Sequence, residues 1–289
     1  MIRKLRQRLC EVLFEDRWEL GFVENSLEDV MSQVTPLRIN WLKNPYNDRW
    51  FADPFILDVD SKTITLLVEE FEYKKRKGVI ARLVIDRENN TLIDRQLVLE
   101  LDTHLSFPFI HEEADGIYIY PENGASGRWT RYRYEGGKCV MAGVVQNEPL
   151  TDAIIPDVLD KNMIVSTRLP DANGRTLCVY EKTADGYKQK QQVRFDSNVS
   201  RNAGNWFCYK DDVYRPAQDC NVTYGGGIII QRVDETESGL SFSDVRRIDS
   251  GSNKYSFGCH TFNFKDDCIV VDAHGYRYYK LMRILGKAK

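Results

Sequence analysis

Long apolar runs are missing from this 289-residue chain. Nothing in it approaches the ~18 consecutive apolar residues that a membrane-crossing helix requires. Paired cysteines are missing as well. The seven cysteines, at positions 10, 139, 178, 208, 220, 259 and 268, form no C-x-x-C unit and share no regular spacing. That pattern argues against a zinc site and for reduced thiols in a cytoplasmic protein. Histidine is scarce, with four residues and no H-E-x-x-H, which weakens any case for a zinc hydrolase. No charge of one sign dominates: 40 basic residues face 43 acidic ones, a net charge of -3. Nothing therefore attracts a nucleic acid globally, and none is expected as a partner.

The first sixteen residues differ from the rest. In "MIRKLRQRLCEVLF", Ile2, Leu5, Leu9 and Leu13 recur at helical spacing, with Arg3, Lys4, Arg6 and Arg8 between them. The spacing predicts an amphipathic helix over 1–16 that docks on its own domain or a partner, or rests on anionic lipid. The stretch has no apolar h-region and no small-residue cleavage site, so it is not expected to be a secretory signal.

Helical periodicity is absent past the first 35 residues, and from residue 36 onward the chain reads as short strands. Alternating or apolar runs are separated by "DVDSK", "RENN", "EEADG", "YEGG", "TADG" and "YKDD", which are turn signals. Five segments share one plan, starting at Trp50, Leu105, Thr151, Arg201 and Gly258, roughly 50 residues apart. Each opens on a small or polar group, runs into a short apolar strand, makes an acidic turn and enters a second strand. A third strand follows, as in "GVIARLVID", "RWTRYRYE", "TLCVYEKT", "GGIIIQRV" and "YRYYKLMRI". That period matches a propeller blade. The expected fold is an all-β, five-bladed β-propeller over 17–289, preceded by the short helix. "RWELGFVE", from Arg17 to Glu24, is expected to pair into the last blade and close the ring, which removes exposed sheet edges.

In a propeller the innermost strands start at one mouth of a central channel. The residues expected to converge there are Asp53, Ser106, Asp152, Arg201 or Asn202, and His260. The second strands add Glu69 and Glu70, Glu122, Arg215 with Gln218 and Asp219, and Asp272 with His274. Several carboxylates buried together cost several kcal/mol unless paired or hydrated, so a wet pocket with Arg201 and Arg215 as counter-charges is the economical arrangement. Trp50, Trp206, Tyr120, Tyr214 and Tyr224 are candidate platforms for sugar rings, and Asn263 a further polar contact. Each of these residues also has a plain structural reading, such as an Arg215–Asp219 ion pair or a core imidazole at His260.

"WFADPFI", "HLSFPFI" with "YPEN", "RPAQDC" and "GCHTFN" resemble the N-terminal domain of plant glucosamine inositolphosphorylceramide transferase and its bacterial relatives. That family in turn resembles the five-bladed propeller of glycoside hydrolase family 43. The resemblance covers roughly 18 to 285. It implies Asp53 as base or nucleophile and Asp152 as the carboxylate that tunes the acid. It also implies a general acid at the start of blade four, where this chain has "RNAGN" from Arg201. Glu122 and Asp219 are the carboxyls that can replace it. Two functions stay open: a glycoside hydrolase or transglycosidase, and a glycan-binding propeller that works beside a membrane-proximal glycosyltransferase. A metal-dependent hydrolase using His260, His274 and Asp272 is a weaker third. No cofactor is expected, and a structural calcium in the channel is what some relatives suggest.

Overall fold

The computed structural model describes residues 15–33, 36–278 and 281. The amphipathic segment expected over 1–16 falls almost wholly outside them. Its last residue, Asp16, opens the first strand, β1 (Asp16–Val23). One turn of helix, α1 (Leu27–Met31), follows. It is started by a capping box in which Ser26 Oγ accepts the Asp29 N–H and Asp29 Oδ2 accepts the Ser26 N–H. The short strand β2 (Ile39–Trp41) comes next.

The remaining strands fall into blades in chain order. Blade one is β3 (Arg49–Val59), β4 (Thr63–Glu72), β5 (Lys77–Asp86) and β6 (Thr91–Leu99). Blade two is β7 (Ser106–Glu113), β8 (Gly116–Glu122), β9 (Trp129–Glu135) and β10 (Lys138–Gln146). Blade three is β11 (Leu150–Ile154), β12 (Met163–Arg168), β13 (Thr176–Thr183) and β14 (Gly186–Arg194). Blade four is β15 (Phe207–Tyr209), β16 (Asp212–Gln218), β17 (Ile228–Thr236) and β18 (Gly239–Ile248). Blade five joins the two ends of the chain: β19 (Phe262–Lys265) and β20 (Cys268–Tyr276) pair with β1 and then β2.

The expected ring closure is therefore present, with β1 antiparallel to β20 from Asp16↔Tyr276 to Val23↔Ile269. One detail differs from the repeat alignment. The third place in blade five belongs to β1, whereas "YRYYKLMRI" begins at the last residue of β20 and lies mostly outside the described residues. The acidic turns have a local cause. Asp60 Oδ1 accepts the N–H groups of Lys62 and Thr63, and Asp86 Oδ1 accepts those of Glu88 and Asn89, so each carboxylate caps its own reversal. Apolar side chains packed between blades form the core, for example Phe55, Leu67 and Phe107 at the join of blades one and two, all within 1% of full burial.

Candidate active site in the central channel

The inner strands of the first three blades carry the same irregularity. Pairing jumps from Ala52↔Glu69 to Phe55↔Leu67, from Ser106↔Glu122 to Phe109↔Tyr120, and from Thr151↔Thr167 to Ile154↔Val165. Within each jump one residue has a left-handed backbone: Asp53 at φ 50°, Phe107 at 42° and Asp152 at 44°. Such bulges re-aim side chains and free an N–H from the ladder. Each freed N–H donates to a carboxylate of the preceding blade. Asp53 donates to Asp272 Oδ2, Phe107 to Asp53 Oδ2 and Asp152 to Glu122 Oε2, all at 2.9 Å. The acidic residues are thus strung around the channel by the backbone itself.

Asp53, buried, also accepts the Thr261 hydroxyl on Oδ1 at 3.0 Å, and His260 Nε2 lies 3.6 Å from that oxygen. His260 Nδ1 sits 2.8 Å from Asp272 Oδ1, which also accepts the His260 and Thr261 N–H groups. Burial lifts the Asp53 carboxyl to about 7, against the pull of His260 and with help from Glu69, Asp272 and Asp152. Burial opposes charge on His260, but Asp272 and Asp53 outweigh it and hold the imidazolium up to about 9.

Across the channel, Asp152 takes Arg201 Nε and Gln218 Nε2 on Oδ2, the latter at 2.8 Å, and Arg201 Nη2 on Oδ1 at 3.2 Å. Arg201 Nη2 also lies 3.5 Å from Glu122 Oε2, and the guanidinium carbon is 4.9 Å from the centre of the Tyr224 ring. Burial, then the neighbouring Asp152, push the Glu122 carboxyl well above its usual range, against Arg201. Tyr224 stands edge-on to His260, 5.4 Å between ring centres. The glycines after it explain the approach: a Cβ on Gly225 would sit 2.6 Å from the His260 Cβ, and Gly225 itself has φ 57°. The "YGGG" turn is therefore what lets this loop lie on the imidazole.

Asp53, Glu122, Arg201, Tyr224 and His260 line one cavity of about 260 Å³, together with Glu69, His104, Ser106, Trp18, Trp50 and Phe71. Asp152 and Gln218 stand just behind them. The other expected site residues lie elsewhere. Glu70 is on the opposite face of β4 and pairs with Arg49 and Arg95. Arg215 is fully buried behind the site, where it holds Asn202, Gln231 and the Val199 and Ser200 carbonyls between Phe195 and Phe242. Burial pushes it down to about 9. Asp219 does not pair with Arg215. It follows the end of β16 and binds Arg247 and Asn221 at the rim. Those partners outweigh its partial burial and hold its carboxyl below the usual range, the wrong direction for an acid. Asn263 ties Pro54 O to the Asn205 N–H, inside the wall. Of the proposed platforms, only Trp50 and Tyr224 border the cavity. Trp206 lines a separate recess of about 320 Å³, and Tyr120 and Tyr214 pack in the core.

Sequence reading passed over His104 and Trp18. Trp18 comes from the closing strand and is sandwiched between His260 and His274, at 3.9 and 4.5 Å between ring centres. Its distance in sequence from both histidines hid this role. His104 stands two residues before Ser106, in the loop that enters β7, and only that proximity to an inner strand hinted at it. Asp53, His260 and Asp272 could together approach a cation. However, the Asp272 oxygens already accept four hydrogen bonds from Asp53, His260 and Thr261, so this set does not fit a metal without dismantling the bulge that carries Asp53. Among the described residues no helix is long and apolar enough to cross a membrane.

Residues 39–263 match the family described as the N-terminal part of glucosamine inositolphosphorylceramide transferase 1. The proteins of that name from Oryza sativa subsp. indica and Arabidopsis thaliana are 24% and 25% identical to this chain over 201 and 207 residues, covering 66% and 64% of it. The chain spans about a quarter of the length of these relatives, 27% and 26%. A solved structure of an engineered GH43 glycoside hydrolase, with endo-xylanase and exo-arabinofuranosidase activity, is similar in fold. Its TM-score is 0.50 at 10% identity, over 80% of this chain and 51% of that one.

Proposed function

Because the chain belongs to the family of the glucosamine inositolphosphorylceramide transferase 1 N-terminal domain, we propose that its central pocket binds a sugar of a glycan or glycolipid and cleaves or transfers the glycosidic bond. The observation that carries this reading is the placement of Asp53 and Glu122, offered by adjacent blades to one cavity with both carboxyls raised by burial. Glycosidic cleavage needs one carboxylic acid and one carboxylate. Glu122 is the acid: burial and the neighbouring Asp152 favour its protonated form, from which the proton passes to the leaving oxygen. Asp53 is the carboxylate at the anomeric carbon, as base for water or as nucleophile. The nearby His260 cation favours its ionised form. Trp50 and Tyr224 border the sugar.

A second reading rests on Arg201. This cation occupies the start of blade four and neutralises both Asp152 and Glu122. With Glu122 so held, the pocket would bind a glycan without cutting it and serve a separate glycosyltransferase near a membrane. A panel of aryl glycosides separates the readings. The catalytic one expects turnover that falls roughly 10²–10⁴-fold in Asp53→Asn and in Glu122→Gln, with ligand still bound. Unchanged turnover in Asp53→Asn removes that residue from the chemistry. Binding without product over long incubation favours the non-catalytic module.

A further inference from the structure

The cavity that Asp53 and Glu122 share is small. Its volume of about 260 Å³ falls short of the roughly 300–1,000 Å³ usual for small-molecule sites. A groove of about 550 Å³ adjoins it, and the two share Trp18, Trp50 and Phe71 as a common wall. The rest of the groove comes from the same two blades: Glu15 and Asp16 where β1 begins, and Tyr73 and Arg76 in the turn after β4. Blades two to four contribute nothing to it. The groove therefore carries the pocket onto the seam between blades five and one, where the exposed Asp16 and Arg76 form a rim.

Its furnishing suits a sugar ring. A pyranose presents C–H groups on its faces and hydroxyls around its edge, which fits an aromatic wall beneath a polar rim. The wall is set before any ligand arrives. Phe71 stacks on Trp50 at 4.7 Å between ring centres, and Tyr73 stands edge-on to Phe71 at 6.4 Å. The Tyr73 hydroxyl donates to the Asp16 carbonyl at 3.0 Å, and the Arg277 guanidinium carbon lies 3.9 Å from the centre of its ring. Rings already fixed lose little freedom on binding. The rim charges are matched among themselves: Glu15 Oε2 accepts from Arg277 Nη1, and Glu15 Oε1 lies 3.5 Å from Arg76 Nη1. Asp16 adds a further acidic group. Such a rim hydrogen-bonds hydroxyls but gives an anionic sugar no net attraction.

Resting on the carbohydrate reading above, we propose that this groove is a second sugar subsite. The ligand is then a neutral oligosaccharide, with one ring beside Asp53 and Glu122 and the next against Phe71 and Tyr73. The discriminating experiment is titration calorimetry of the full chain with methyl glycosides of neutral hexoses and pentoses and with the disaccharides built from them. Octyl glycosides carry an alkyl chain in place of the second ring, and a disaccharide ending in a uronic acid carries a charge there. The series is repeated with Tyr73→Ala and with Arg76→Ala, two residues that line the groove and not the pocket. A neutral disaccharide is expected to bind roughly tenfold more tightly than its monosaccharide, as one good aromatic contact supplies. Tyr73→Ala should erase most of that gain and Arg76→Ala part of it, with monosaccharide binding unchanged in both. Arg76 is exposed, so its variant keeps the test decisive even where Tyr73→Ala unfolds. Equal binding of mono- and disaccharide, or a gain untouched by either variant, overturns the subsite and leaves the carbohydrate reading standing. Tighter binding of the octyl glycoside than of the disaccharide makes the occupant an alkyl chain, and tighter binding of the uronate overturns the neutral class. Binding of no sugar of any length overturns both readings.

Discussion

Arg201 decides how the carboxyls of this pocket behave, because it is the cation between Asp152 and Glu122. Replacing it with Gln leaves Asp152 buried against a neutral amide, and breaking such a pair costs about 3–5 kcal/mol. Urea unfolding of Arg201→Gln should show a loss of that order, whereas a loss near zero would mean the pair is hydrated and weak. Glu122→Gln should behave oppositely. Its carboxyl is already pushed toward the neutral form, so the isosteric amide should barely move the unfolding midpoint while removing the proton donor. At this scale the sequence was only half legible. "VEEFE" announced a carboxylate at the channel, but Glu69 and Glu70 are one residue apart and a strand sends neighbours to opposite faces. Glu69 is the one that lines the cavity, and the alternation by itself does not say which of the two faces it. Arg215 and Asp219 misled for the same kind of reason. Four apart in a regular strand they would share a face, but β16 ends at Gln218 and Asp219 turns outward to Arg247.

Strand β1 links ring closure to the site. Its Trp18 is stacked between His260 and His274, and Leu20 beside it is fully buried. Trp18→Ala should cost about 3–5 kcal/mol, as removal of a large buried aromatic does. It should also weaken ligand binding, because His260 loses the ring that packs on it. A variant that unfolds normally in urea and binds normally would detach closure from the pocket. The closing strand was readable as an orphan β-like segment ahead of five repeats. The fourth strands were not, because their faces are exposed: β14 shows lysines and glutamines throughout "GYKQKQQVR", and the blade edge has little apolar alternation to read.

Over the whole molecule, the collected buried acids give stability a definite pH dependence. Burial lifts Asp53 and Glu19 to about 7, in Glu19 against Arg17, and the Asp272 and Asp53 carboxylates hold His260 up to about 9. Each group binds its proton more tightly folded than unfolded, so the native state holds the extra protons and stability falls as pH rises. The carboxyl contribution is complete below the ordinary carboxylate range and is lost through about 7, and the His260 contribution is complete below the ordinary imidazole range and is lost through about 9. Thermal midpoints should therefore drop between neutral pH and about 9, and drop less in His260→Gln; parallel curves for the two proteins would contradict the imidazolium. The ring itself was the most legible feature, because a five-fold spacing survives errors of a few residues. The electrostatics were not legible, since they arise from groups brought together from opposite ends of the chain. The most direct test is a crystal structure of the Asp53→Asn protein soaked with a mixture of oligosaccharides. A sugar ring is predicted in the cavity bounded by Asn at position 53, Glu122, Tyr224 and His260. Sugar bound only elsewhere on the blades, with this cavity ordered and free of it, would contradict the account.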